Sequence, residues 1–155
     1  MTNVYPAINQ NSTQMAVRYT YGGKQYYQIY NLANGRFINP RNPVKRICLS
    51  ATSGDFQGFD LYGTSIYTIE GSPRKSFLLG YDRSRRYQPT KIRRYNYAAR
   101  SKKTITVRGA KTLSFREPEG IKVLAGGQIY MMYVSNTLTN HSCNIYRVKR
   151  KILIC

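Results

Sequence analysis

The sequence predicts an all-β domain, a sandwich or a barrel, on three observations. No stretch of a dozen residues spaces its apolar side chains at three and four, as a helix with one buried face does. Runs rich in Tyr, Val, Ile and Thr recur instead, separated by Gly, Pro, Asn and Asp. Fifteen Tyr and five Phe, with no Trp, weight the composition toward side chains that suit a pleated, half-buried surface.

Taken in order, residues 15–21 and 24–30 are strand candidates flanking Gly22-Gly23, a two-residue hairpin signal because both central positions can take positive φ. Asn34-Gly35 marks the next turn, and residues 36–43, with Pro40 and Pro43, read as a loop. Residues 44–51 form a further strand and 52–58 a turn. Residues 59–70 read as one long strand that Gly63 bulges. Gly71-Ser72-Pro73 breaks the chain, and residues 75–81 are apolar. Residues 90–97 and 103–108 are basic strands, and 111–116 follow a glycine turn. Residues 117–120 read as a turn, 128–135 as a strong strand, 137–142 as a polar loop and 144–154 as the closing strand. In that last strand Tyr146, Val148, Ile152 and Ile154 fall on one face, and Arg147, Lys149 and Lys151 on the other.

A chain of 155 residues suggests one domain, and 41% apolar residues suffice for a core. Residues 1–14 form a polar N-terminal segment without Lys or Arg, and 15–155 the domain. No apolar run approaches the ~20 residues that span a bilayer. The N-terminal residues lack the apolar centre of a signal peptide, so cytosolic synthesis is expected. The glycosylation sequons at Asn11 and Asn140 are then chance matches. Cys48, Cys143 and Cys155 are odd in number and lack a pairing motif, and free thiols are expected, their state left open.

Catalysis finds little support. His141 is the one histidine, placed in the polar loop, and neither Cys48 nor Cys143 has a local partner for nucleophilic chemistry. Asp55 and Asp60 flank a Gly/Phe turn and are the pair a metal-dependent nuclease would use, but turn chemistry accounts for Asp55. An enzyme is not expected, nor are a cofactor, a metal or a small-molecule substrate.

Charge gives the strongest statement about a partner. The chain carries 25 basic and 6 acidic residues, a formal net charge of +19. Between Arg83 and Lys111 stand Arg83, Arg85, Arg86, Lys91, Arg93, Arg94, Arg100, Lys102, Lys103, Arg108 and Lys111, with no Asp or Glu. Such a cluster repels itself unless a polyanion neutralises it. Its Arg excess suits bidentate phosphate contact. Tyr87, Tyr95 and Tyr97 lie among the cations and offer faces for stacking unpaired bases. With Arg147, Lys149 and Lys151 of the closing strand, these are the candidate nucleic-acid contacts. No base-reading helix, zinc finger or ribonucleoprotein motif is present, so backbone-dominated binding with little sequence preference is expected.

Two stretches carry a family resemblance. Residues 75–87, an apolar Lys75-Ser76-Phe77-Leu78-Leu79-Gly80-Tyr81 followed by Asp82-Arg83-Ser84-Arg85-Arg86-Tyr87, resemble the strand and Asp-Arg-rich turn of geminivirus-type coats. Residues 128–136, the Asn-His loop and residues 144–155 are similar to the closing strand pair of those proteins. The chain thus resembles the capsid proteins of small circular single-stranded DNA viruses, geminivirus- and circovirus-like, over about a quarter of its length. The resemblance implies a single jelly roll, a virion location after synthesis in the host cytoplasm (nuclear import left open), and a shell of about sixty copies whose basic inner surface packs single-stranded nucleic acid. It departs from the family in one respect. Those coats begin with an Arg-rich arm, whereas residues 1–14 have no cation, so any phosphate contact here falls to the folded domain. Two other readings compete: a ribosomal or other ribonucleoprotein component holding structured RNA, and a heparin-binding β-trefoil or other small β-barrel, although no threefold repeat is visible.

Overall fold

The computed structural model describes residues 2–50, 55–71, 90–108, 113, 117–136 and 141–148. The chain is all-β, with antiparallel sheets that pack face to face and in part curl into a half-barrel. The first sheet holds β1 (Thr2–Ile8), β2 (Gln14–Tyr21) and β3 (Lys24–Ala33) in order, with β5 (Lys45–Ser50) and the two-residue β4 (Arg36–Phe37) also paired to β3. The second holds β6 (Phe56–Tyr62), β7 (Ser65–Glu70), β8 (Thr90–Asn96) and β9 (Ser101–Val107). The third holds β10 (Glu117–Leu124), β11 (Gln128–Asn136) and β12 (His141–Arg147). Residues 1–14 thus contribute β1, paired to β2.

Except for β3 with β5, each described pairing joins neighbours in sequence, so the sheets are meanders. Among the described residues the three sheets hold five, four and three strands. Local turn chemistry explains the hairpins. Gly22 and Gly23 take φ of 55° and 70°, and Asn34 and Gly35 take 52° and 72°, the paired positive values of a two-residue turn.

The second sheet lies between two cores. One face of it meets the first sheet, where Phe59, Leu61 and Ile66 pack with Ala16, Tyr27, Ile29 and Ile47. Its other face meets the third sheet, where Tyr67, Ile69 and Ile92 pack with Val123, Ile129, Met131 and Tyr133. Both faces of β7 are therefore covered, and all six of its residues, Ser-Ile-Tyr-Thr-Ile-Glu, are buried. Burying an apolar side chain of this size contributes about 2 kcal/mol.

The second and third sheets approach one another along β6 and β10. Each strand carries a register shift, at Phe56/Gly58 and at Pro118/Gly120. The two glycines face each other, and a Cβ on Gly58 would lie 3.4 Å from the Gly120 Cα. Asp60 closes the joint: its carboxylate accepts from the Val123 amide (2.7 Å) and from Lys122 Nζ (2.9 Å).

Three expectations are corrected. Residues 59–70 are two strands, because Gly63 takes φ of 52° and reverses the chain between Tyr62 and Ser65. Residues 117–120 open β10 rather than forming a turn; β10 pairs only with β11 among the described strands, so Pro118 leaves no ladder donor missing on its other edge. His141 and Ser142 belong to β12, where Ser142 hydrogen-bonds Ser135 across the ladder. Residues 75–81, and 111–116 apart from Leu113, lie outside the described residues.

Candidate nucleic-acid interface

β8 and β9 pair from Thr90 with Val107 to Asn96 with Ser101, joined by a turn in which Arg100 takes a positive φ of 52°. Alternation sends Lys91, Arg93 and Tyr95 of β8, with Lys102, Thr104 and Thr106 of β9, toward the first sheet. Arg94 and Lys103, a registered pair, fall on the opposite face with Ile92 and Ile105.

Between this hairpin and the first sheet lies a partly open cleft of about 400 Å³. Gln25 and Tyr27 of β3 and Leu49 and Ser50 of β5 form one wall, and Ile66 and Thr68 of β7 belong to the other. Arg93, Tyr95, Lys102 and Thr104 complete it, and Arg94 and Lys103 border it. Four cations thus line a cleft whose lining contains no carboxylate among the described residues. Lys102 and Lys103 are exposed, and Lys102 Nζ stands 5.9 Å from the Tyr95 ring centre.

Behind the cleft is a buried polar cluster. Arg93 Nε donates to Glu70 Oε1 at 2.8 Å, and the Glu70 side chain is only 2% exposed. Glu70 Oε2 and Thr68 Oγ1 are buried without a hydrogen-bond partner among the described residues. Arg18 is also buried, with its guanidinium 3.5 Å from the Phe56 ring centre and 5.6 Å from that of Tyr5. The Tyr27 hydroxyl donates to Gln25 Oε1 (3.1 Å). Burial pushes the Tyr27 phenol up to about 12, against an opposing pull from Arg18 and with a further push from Glu70.

The candidate contacts named from sequence therefore separate. Arg93, Arg94, Lys102, Lys103 and Tyr95 come together at the cleft. Lys91 and Arg108 lie toward the other end of the hairpin, Arg100 in its turn, and Arg147 on the exposed face of β12. Tyr95 and Tyr97 both pack against the first core, and the Tyr97 hydroxyl donates to the Gly63 carbonyl (3.3 Å); burial raises the Tyr97 pKa. Arg83, Arg85, Arg86, Tyr87, Lys111, Lys149, Lys151 and Cys155 lie outside the described residues. Cys48 and Cys143 are free and exposed.

The sequence reading missed Gln25, Thr68 and Glu70. Glu70 carried a signal: a lone acid ending an apolar, β-branched run is an acid placed to be buried and paired. Gln25 and Thr68 reach the cleft only through the stacking of two sheets, which no local pattern encodes. Among the described residues no group of His, Cys, Asp and Glu is arranged to hold a metal ion. No helix among them is long and apolar enough to cross a membrane. The chain matches no protein-family model and no curated protein.

Proposed function

We propose that this protein binds nucleic acid through the β8–β9 hairpin and its cleft, as the coat protein of a shell that packs single-stranded nucleic acid. The observation that carries the binding half is the cleft itself: among the described residues its lining holds four Arg or Lys and no Asp or Glu, in a chain of net charge +19. Desolvated walls and one sign of charge focus a field that draws in a polyanion. Phosphates meet Lys102 and Lys103 at the exposed strand, with Arg94 at the border, while Arg93 stays bound to Glu70 and the edge of the Tyr95 ring left open by the core offers itself to an unpaired base. The shell-forming half is supported by the resemblance of residues 75–87 and 128–155 and by the all-β sandwich architecture.

The test reverses the two exposed lysines. In Lys102→Glu/Lys103→Glu, losing two phosphate contacts should flatten the slope of log affinity for single-stranded DNA against log salt by about 1.4. Particles purified from the expressing cell should be uniform in diameter and contain nuclease-protected nucleic acid, less of it in the variant. An unchanged slope removes the cleft from the interface. A salt-sensitive monomer preferring folded RNA favours a ribonucleoprotein, and one retained by heparin but indifferent to single-stranded DNA favours a glycan binder.

A further inference from the structure

The outward face of the first sheet carries a cluster of aromatic rings. The inner face carries Ala16, Tyr27 and Ile29 into the first core. Registered pairing places the intervening residues on the other side: Tyr19 opposite Tyr26, Tyr21 opposite Lys24, Val17 opposite Gln28, and Gln28 opposite Arg46. The Tyr19 and Tyr26 rings are stacked, 5.1 Å between centres with an 8° interplanar angle. Tyr30 and Phe37 meet edge to face at 5.1 Å. Gln28 holds the array: Tyr30 OH donates to Gln28 Oε1 (2.6 Å), and Gln28 Nε2 donates to Tyr19 OH (3.4 Å). Tyr21 is 71% exposed, and none of these outward rings belongs to either core.

We propose that this tyrosine face is a base-stacking platform for single-stranded nucleic acid, distinct from the cleft. The proposal rests on the reading of the protein as a nucleic-acid binder and adds the site that tells unpaired bases from other polyanions. Charge selects the occupant. No Asp or Glu occurs before Asp55, and exposed Lys24 and Arg46 flank the rings, so the sheet complements phosphate and repels a second copy of itself. Rings locked by Gln28 lose little freedom when a base lands on them. Stacking accepts any base, as expected of a binder without sequence preference.

Cys48 lies directly opposite Tyr26 in the ladder and is exposed, while Cys143, also exposed, sits on the distant β12. The chain therefore carries its own footprinting pair in Cys48 and Cys143. A dT oligonucleotide should slow alkylation of Cys48 severalfold relative to Cys143, and heparin should not. In Tyr19→Leu/Tyr26→Leu, affinity for the dT oligonucleotide should fall on the order of tenfold with heparin affinity unchanged. Tyr19→Phe/Tyr26→Phe, which keeps the rings, should bind dT as the parent does. Equal losses for dT and heparin, no loss in the Leu variant, or Cys48 protection that grows with protein concentration without DNA would each overturn the proposal, the last in favour of a contact between copies. Failure of the cleft reading looks different: Lys102→Glu/Lys103→Glu would leave the salt slope unchanged while Cys48 remained protected by dT.

Discussion

Arg93 on β8 and Lys102 on β9 share one face of one hairpin and line one cleft, yet their surroundings differ. Arg93 is bound at 2.8 Å to a carboxylate that is almost wholly buried. Lys102 is exposed, with only a tyrosine ring nearby and no acid paired to it among the described residues. Like charge in adjacent strands thus serves two ends. On β8 a cation neutralises an interior anion, and its loss leaves Glu70 stranded in low dielectric. On β9 the cations contribute little to the fold and remain available to a partner. A count of basic residues cannot separate the two roles, whereas burial of the counter-ion can.

The largest expected effect tests the first role. Arg93→Ala should lower unfolding free energy by about 3 kcal/mol, read from a urea midpoint, because Glu70 keeps its burial and loses its cation. Arg93→Ala with parental stability would abolish the distinction between the strands. Charge reversal at Arg93 is for the same reason a poor probe of binding, since it sets two carboxylates together.

Alkali probes the same cluster from the first sheet. The Tyr27 phenol is raised from 10.0 to about 12 in the folded chain, so the folded state holds its proton more tightly than the unfolded state. Its contribution is present in full below pH 10 and is lost as pH rises toward 12, amounting to about 3 kcal/mol. Urea titrations across that window should show a shallower loss in Tyr27→Phe than in the parent. Parallel losses would mean that other tyrosines govern the alkaline limit.

Thr68→Val should move stability the other way. The Thr68 hydroxyl is buried and has no partner among the described residues, so a methyl of the same shape should raise unfolding free energy by about 1 kcal/mol in a thermal melt. A decrease would reveal a partner for the hydroxyl. The smallest effect belongs to Lys102→Glu/Lys103→Glu, whose stability should stay within about 0.5 kcal/mol of the parent. A larger fall would show that β9 also bears on the fold and would blur the contrast with β8.

What the sequence disclosed and what it hid follow one division. Gly22-Gly23 was legible because a tight turn is a property of adjacent residues. The outward Arg147 between half-buried Tyr146 and Val148 was legible because strand alternation has a fixed period. Gly63 was misjudged because a single glycine in a β-branched run signals a bulge and a reversal equally well. Tyr95 and Tyr97 looked equivalent in sequence. Both pack against the first core, and only the second, beyond the end of β8, carries its hydroxyl to the Gly63 carbonyl. The Arg93–Glu70 pair spans 23 positions, and the cleft joins β3 and β5 to β7 and β9; both depend on how sheets stack. The charge of the hairpin was therefore readable, but the division of its labour was not.

The joint at Asp60 has a consequence for the order of events as the chain folds. Each meander can form from adjacent hairpins, but Asp60 finds the Val123 amide only across 63 positions. Until β10 arrives, the Asp60 carboxylate lacks the Val123 amide and Lys122 Nζ, and Gly58 lacks the Gly120 backbone that it lies against. Docking of the last hairpin pair is then the slow, non-local step. A ribosome-bound chain halted before Glu117 would hold preformed sheets around an open seam, which closes only once the residues from Glu117 onward are made.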